Sequence, residues 1–210
     1  MQTDIQIFDA MSECSEEALR RMLSHVSAQR REQALRYRYP MGRFCCLKSW
    51  LLLCELLERN GYPCSLADEW HYNEHGKPFL GSADGSGQAS ADVPYFSISH
   101  CKEGIAVALS DRPVGIDIEH IRRADDALIE RTMNSTEQNR LSAALREGME
   151  ARNRLFTRLW TQKEAVLKAR GTGIESFEGL QELFSSDKNG GTMRLQTIEK
   201  EKYIYSIAEI

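Results

Sequence analysis

Val114-Gly115-Ile116-Asp117-Ile118-Glu119 is the stretch on which the fold turns. Side chains alternate along a strand, so Val114, Ile116 and Ile118 face one way while Asp117 and Glu119 project together from the other side. Two carboxylates side by side repel unless a cation lies between them. A hard divalent ion takes oxygen ligands, and Mg²⁺ is commonly held by a few carboxylates with phosphate oxygens and water. The same six residues therefore specify a strand and propose a metal-phosphate site.

Upstream, Tyr95 to Ser99 and Ile105 to Leu109 also read as strands. The turn Ser110-Asp111-Arg112-Pro113 joins the latter to Val114–Ile118, which predicts an antiparallel hairpin. Downstream, Ser135 followed by Gln138 predicts a capping box opening a helix toward Leu145, and Leu155 to Ala169 is a helix closed by Gly171 or Gly173. Met193 to Ile198 and Tyr203 to Ala208 form a terminal hairpin around Glu199-Lys200-Glu201-Lys202. At the other end, Ser12 or Ser15 caps a helix running to about His25. A basic helix follows over Gln29 to Tyr39, and the apolar run Arg43 to Arg59 predicts a buried helix stopped by Asn60-Gly61. Glu69 to Leu80 is polar and turn-rich with little regular structure, and Gly81 to Gly87 has the composition of a flexible loop. Helices with antiparallel strands in both halves make the fold class α+β.

Composition bounds the rest. At 210 residues and 41% hydrophobic content the chain can bury a substantial core. A formal charge of -4 argues against a general nucleic-acid binder. No apolar run is long enough to cross a bilayer, so a cytoplasmic protein with no membrane partner is expected. The six cysteines, at 14, 45, 46, 54, 64 and 101, match no zinc spacing and read as reduced thiols. No glycine-rich phosphate loop of the Walker or Rossmann kind is present, which removes the main signature of ATP hydrolysis and of nicotinamide chemistry.

The helix Trp160-Thr161-Gln162-Lys163-Glu164-Ala165-Val166-Leu167-Lys168 carries the other candidates. Glu164 and Lys168 are one turn apart, on the border of an apolar arc. A third acid from a helix completes a metal shell, and a Lys one turn on can neutralise phosphate charge. Lys163 sits near the middle of the arc, where a charged head must snorkel, pair or meet an anion; it is a second phosphate candidate. Arg30, Arg31, Arg43 and Lys48 form either a solvated face or a surface for an anionic ligand.

Taken in order, Gly76-Lys77-Pro78, Phe96-Ser97-Ile98-Ser99-His100, Val114 to Glu119 and Trp160 to Lys168 with Gly171-Thr172-Gly173 resemble the Sfp-type 4′-phosphopantetheinyl transferases. The resemblance implies two similar halves, 1–111 and 112–210, related by pseudo-twofold symmetry with the active site in the cleft between them. It implies that Asp117, Glu119 and Glu164 hold Mg²⁺, that Lys168 contacts the pyrophosphate, and that Ser99 with His100 binds the 3′-phosphate of coenzyme A. Lys77 and Pro78 would line the adenine end, with Arg30, Arg43 and Lys48 as further contacts. The implied reaction moves phosphopantetheine from coenzyme A to a serine of an acyl or peptidyl carrier protein, with Glu164 or a metal-bound water as base. A monomer is implied, and Arg122, Arg123, Arg152, Arg154 and Arg158, helped by Ile121 or Met133, could receive the acidic carrier. Ser97, Cys101 and His75 depart from residues common in the family. The rival readings are another metal-dependent phosphoryl or nucleotidyl transferase and a non-enzymatic coenzyme A or carrier-binding module.

Overall fold

Ser15 opens α1 (Glu16–His25) by accepting from the Ala18 N–H, and Ser27 opens α2 (Ala28–Leu35) by accepting from Arg30 N–H. Both side chains satisfy donors that a helix start leaves without intrahelical partners. The computed structural model describes residues 2–68, 70–81, 93–184 and 193–210. Most of the Gly81–Gly87 loop lies outside the described residues. Preceding the two helices is β1 (Asp4–Phe8), and following them is the long α3 (Pro40–Arg59), with Pro40 in its first turn. Gly61 reverses the chain after α3 at φ +83, a backbone conformation that suits glycine.

The polar stretch after α3 forms a short hairpin, β2 (Trp70–Tyr72) with β3 (Pro78–Leu80), where the sequence suggested little regular structure. Three-residue strands are too short to show alternation. Next come β4 (Tyr95–Cys101), β5 (Gly104–Ser110) and β6 (Val114–His120). The adjacent hairpin is β4 with β5, and β5 also pairs with β1, giving a sheet of order β1-β5-β4. The hairpin expected between β5 and β6 is therefore corrected. Pro113 and the turn before it carry β6 into a second sheet of order β6-β8-β7, formed with β7 (Arg194–Glu199) and β8 (Tyr203–Glu209). The terminal hairpin is as expected.

Between β6 and β7 lie α4 (Asp126–Thr132), α5 (Ser135–Glu147), α6 (Met149–Arg170) and α7 (Phe177–Glu182). The cap of α5 is Asn134, one residue before the expected Ser135, in a capping box with Glu137 rather than Gln138. α6 ends at Gly171, φ +76.

β5 is buried on both faces. Ile105, Val107 and Leu109 pack with Phe44, Leu47 and Leu53 of α3, while Ala106 and Ala108 pack with Val114, Ile116 and Ile118 of β6. The opposite face of β6 lies directly under α6. A Cβ on Gly115 would stand 2.0 Å from the Ala165 carbonyl oxygen and 2.4 Å from Ala169 N. No side chain fits there, and the bare backbone is what lets the strand and helix approach so closely.

The expectation of six reduced thiols is also corrected. Cys54 near the end of α3 and Cys64 beyond the Gly61 reversal are joined as a disulfide, their Cα atoms 4.6 Å apart. Cys14, Cys45, Cys46 and Cys101 are free. None of the described helices is long and apolar enough to cross a membrane.

Candidate active site

The close seat of α6 on β6 brings Asp117 under the last two turns of the helix. Asp117 is 3% exposed. Its Oδ1 accepts from Lys168 Nζ at 2.6 Å and from Ser99 Oγ at 2.8 Å, and Lys168 Nζ also donates to Ser99 Oγ at 3.0 Å. Its other oxygen, Oδ2, is buried without a hydrogen-bond partner among the described residues. A buried carboxylate oxygen left in this way is costly unless something electropositive meets it.

Glu119, two residues along the same strand face, lies near the Trp160 side chain, which favours its charged form. Burial, and then the neighbouring Asp117 charge, push its carboxyl pKa up. Glu164 descends from α6, and its pKa is likewise raised by burial and next by Asp117, with Glu119 adding and Lys168 opposing. Three acids thus converge with one lysine, an excess of negative charge. Among the described residues no three His, Cys, Asp or Glu side chains are already drawn to the spacing of metal ligands. The chemistry of the donor set nevertheless suits a hard divalent ion: carboxylate oxygens only, one of them buried and unpartnered.

Beside the acids lies a hollow of about 300 Å³, lined by Glu164, Lys168 and Leu167 from α6, Phe96, Ser97 and Ile98 from β4, His75, Gly76 and Lys77 from the β2–β3 turn, and Pro78 at the start of β3. Lys77 and Pro78 are thus brought to the same cavity as Glu164 and Lys168. A second hollow of about 170 Å³ shares Pro78 and Ile98 and is lined by Arg30, Tyr37, Cys46 and His100.

Alternation along β4 separates Ser99 from His100. The Ser99 hydroxyl is committed to Asp117 and Lys168, whereas His100 lies exposed at the second hollow. Neighbouring protein nonetheless displaces enough water to push the His100 pKa down, with Lys168 contributing. Arg43 donates to the Tyr37 carbonyl at 2.9 Å, beside that hollow. Lys48 is not brought there: its ammonium lies 4.2 Å from the Phe8 ring centroid.

Lys163, the second phosphate candidate, faces away from the site. It is fully buried, paired with Glu137 at 2.8 Å, and donates to the Thr132 and Leu180 carbonyls at 3.0 and 2.9 Å. It clamps α4, α5 and α7 to α6 and leaves no donor for a ligand, since an ammonium has three. Among the expected carrier receptors, Arg152 pairs with Asp126, Arg154 donates to the Lys200 and Glu201 carbonyls, and Arg158 lies 3.5 Å from Glu199. Met133 is fully buried and cannot meet a partner, while Arg122 and Arg123 are exposed. Sequence reasoning did not assign the place of Trp160 near Glu119. Nor did it find the bond from Ile116 N–H to Ser97 Oγ, 3.1 Å long, which ties β6 to β4.

A family model described as the 4′-phosphopantetheinyl transferase superfamily matches residues 113–209. The 4′-phosphopantetheinyl transferase AcpT of Salmonella typhi is 35% identical over 153 residues, which cover 71% of this chain and 71% of that protein. The 4′-phosphopantetheinyl transferase ffp of Bacillus subtilis is 28% identical over 163 residues, 76% of this chain and 66% of the relative. The corresponding gsp protein of Aneurinibacillus migulanus is 30% identical over 154 residues, 72% of this chain and 58% of the relative. The match thus spans less than two thirds of the length of the last two. The acids on β6 and α6, the lysine beside them and these similarities lead to one conclusion: the chain belongs to the 4′-phosphopantetheinyl transferase superfamily.

Proposed function

We propose that this protein transfers the 4′-phosphopantetheine group of coenzyme A to a serine hydroxyl of an apo carrier protein and releases adenosine 3′,5′-bisphosphate. The observation that carries the reading is the convergence of Asp117, Glu119, Glu164 and Lys168 beside a hollow able to take part of a nucleotide, with Asp117 Oδ2 buried and unpartnered.

Asp117, Glu119 and Glu164 are the residues that would hold Mg²⁺. When bound, the ion would neutralise diphosphate charge as it develops on the leaving side. The remaining work belongs to the chain. Ser99 orients Asp117. Lys168, 30% exposed and lining the hollow, donates to Asp117 and Ser99 and would offer its third donor to the phosphates. Glu164, which lines the hollow beside Lys168, would take the proton of the attacking serine. Phosphoryl transfer needs little covalent chemistry from side chains, so positioning and charge neutralisation suffice. Pro78 and Ile98, shared by the two hollows, would lie between the diphosphate and the nucleotide end, with His100 and Arg30 beyond them.

The two halves proposed as 1–111 and 112–210 share an order of elements, apart from the β2–β3 hairpin that the first half adds. In each, a strand is followed by helices and a closing hairpin, and the first strand pairs with the last: β1-β5-β4 and β6-β8-β7. That repetition supports a pseudo-twofold relation, with the site at their seam where Ser97 and Ser99 meet Ile116 and Asp117.

Mass spectrometry of apo carrier proteins incubated with this protein, coenzyme A and Mg²⁺ tests the proposal. A phosphopantetheine-sized gain is expected, lost with EDTA and in Asp117→Ala. No gain across a broad panel of fatty-acid, polyketide and peptide-synthetase carriers would contradict it.

A further inference from the structure

The turn between β2 and β3 is fastened to the end of α6 by a polar clasp. Asn73 Oδ1 accepts from the His75 and Lys77 backbone N–H groups at 3.0 and 2.8 Å, closing the turn, while Asn73 Nδ2 donates to the Gly171 carbonyl at 2.9 Å. Lys77 Nζ donates to the Ala169 carbonyl at 2.9 Å and reaches the Val114 carbonyl at 3.5 Å. Carbonyls in the last turn of a helix lack intrahelical donors, and a cation there also meets the negative end of the helix dipole. The fit is close: a Cβ on Gly171 would stand 3.1 Å from Lys77 Cδ and 3.2 Å from Asn73 Nδ2.

The clasped parts are two walls of the 300 Å³ hollow, the turn and the end of α6 with Lys168 and Gly171. We propose that Asn73, together with Lys77, is a positioning residue for coenzyme A: the clasp sets the spacing between these walls and so the fit of the bound substrate. The role rests on the transfer reading above. Lys77 thereby acts through the end of α6, its amine donating to carbonyls. Burial, which pushes its pKa down to about 8, further weakens it as a fixed charge for phosphate.

Asn73→Asp isolates the clasp, because a carboxylate retains the acceptor that closes the turn and loses the donor to Gly171. Coenzyme A affinity by calorimetry, KM and kcat for transfer, and amide hydrogen exchange over Ala169–Gly171 are the readouts. Losing one hydrogen bond that acts equally in ground and transition states should weaken coenzyme A binding and raise KM about five- to tenfold. kcat and the melting temperature should stay near wild type, with faster exchange at 169–171. Asn73→Ala, which also opens the turn, should show the same affinity loss with a lower melting temperature. Faster exchange with unchanged affinity and KM would overturn the proposal by reducing the clasp to a structural tie, and unchanged exchange would overturn the clasp itself. A wild-type protein that binds no coenzyme A would instead overturn the substrate reading, a failure told apart because the others leave wild-type binding intact.

Discussion

Two lysine–carboxylate groupings hang from one helix, five residues apart, and they could hardly differ more. Lys163 and Glu137 are both buried and matched one to one, and the lysine's other two donors meet the Thr132 and Leu180 carbonyls. Lys168 faces three acids at the edge of a hollow, with one oxygen of Asp117 left over. The first grouping is closed and belongs to the scaffold. The second is short of positive charge, and that deficit is what a ligand can exploit. A charged residue in an apolar arc is thus uninformative about function until its partners are counted.

Breaking the closed pair should give the largest effect. Lys163→Met leaves Glu137 buried and uncompensated, and urea unfolding should show a loss of about 3–5 kcal/mol. Lys163→Met with Glu137→Leu should recover part of that, though not the share Glu137 contributes by accepting from Asn134 N–H at the α5 cap. Breaking the open group acts on turnover instead. Asp117→Asn should lower carrier loading by about 10²–10³-fold while the protein stays folded.

Glu164→Gln sharpens the contrast in stability. Its native pKa is raised, so the native state holds this proton more tightly than the unfolded chain. Between the ordinary glutamate pKa and the raised one, stability therefore falls as pH rises. The substitution should remove that slope and raise the melting temperature at neutral pH while abolishing turnover; a lower melting temperature would contradict the excess of negative charge. The smallest effect belongs to a pair in neither category. Arg36 and Glu32 are each 73% exposed at 2.8 Å, and Arg36→Ala should change unfolding free energy by less than about 0.5 kcal/mol.

Much of the site was legible because it obeys local periods. Alternation placed Asp117 and Glu119 on one face of β6, and the helical repeat placed Glu164 and Lys168 together. What escaped depends on distant partners. Lys163 announced that it needed company, but Glu137 lies 26 positions earlier on another helix. β6 borders β5 in sequence yet takes its hydrogen bonds from β8, near the end of the chain. The β2–β3 hairpin is too short to alternate visibly, so the segment holding Asn73 and Lys77 read as a bare turn. The family resemblance put Ser99 and His100 in one subsite, whereas strand geometry turns their side chains apart. The pairing of Cys54 with Cys64 follows from the reversal at Gly61, which spacing alone does not reveal.

The central claim is that the open group takes a divalent ion and the closed one does not. A Mn²⁺ titration followed by electron paramagnetic resonance, in the presence of coenzyme A, tests this most directly. Bound Mn²⁺ is expected in wild type and in Glu137→Gln, and weak or no binding in Asp117→Asn and Glu164→Gln. Equal binding in wild type, Asp117→Asn and Glu164→Gln would contradict the claim.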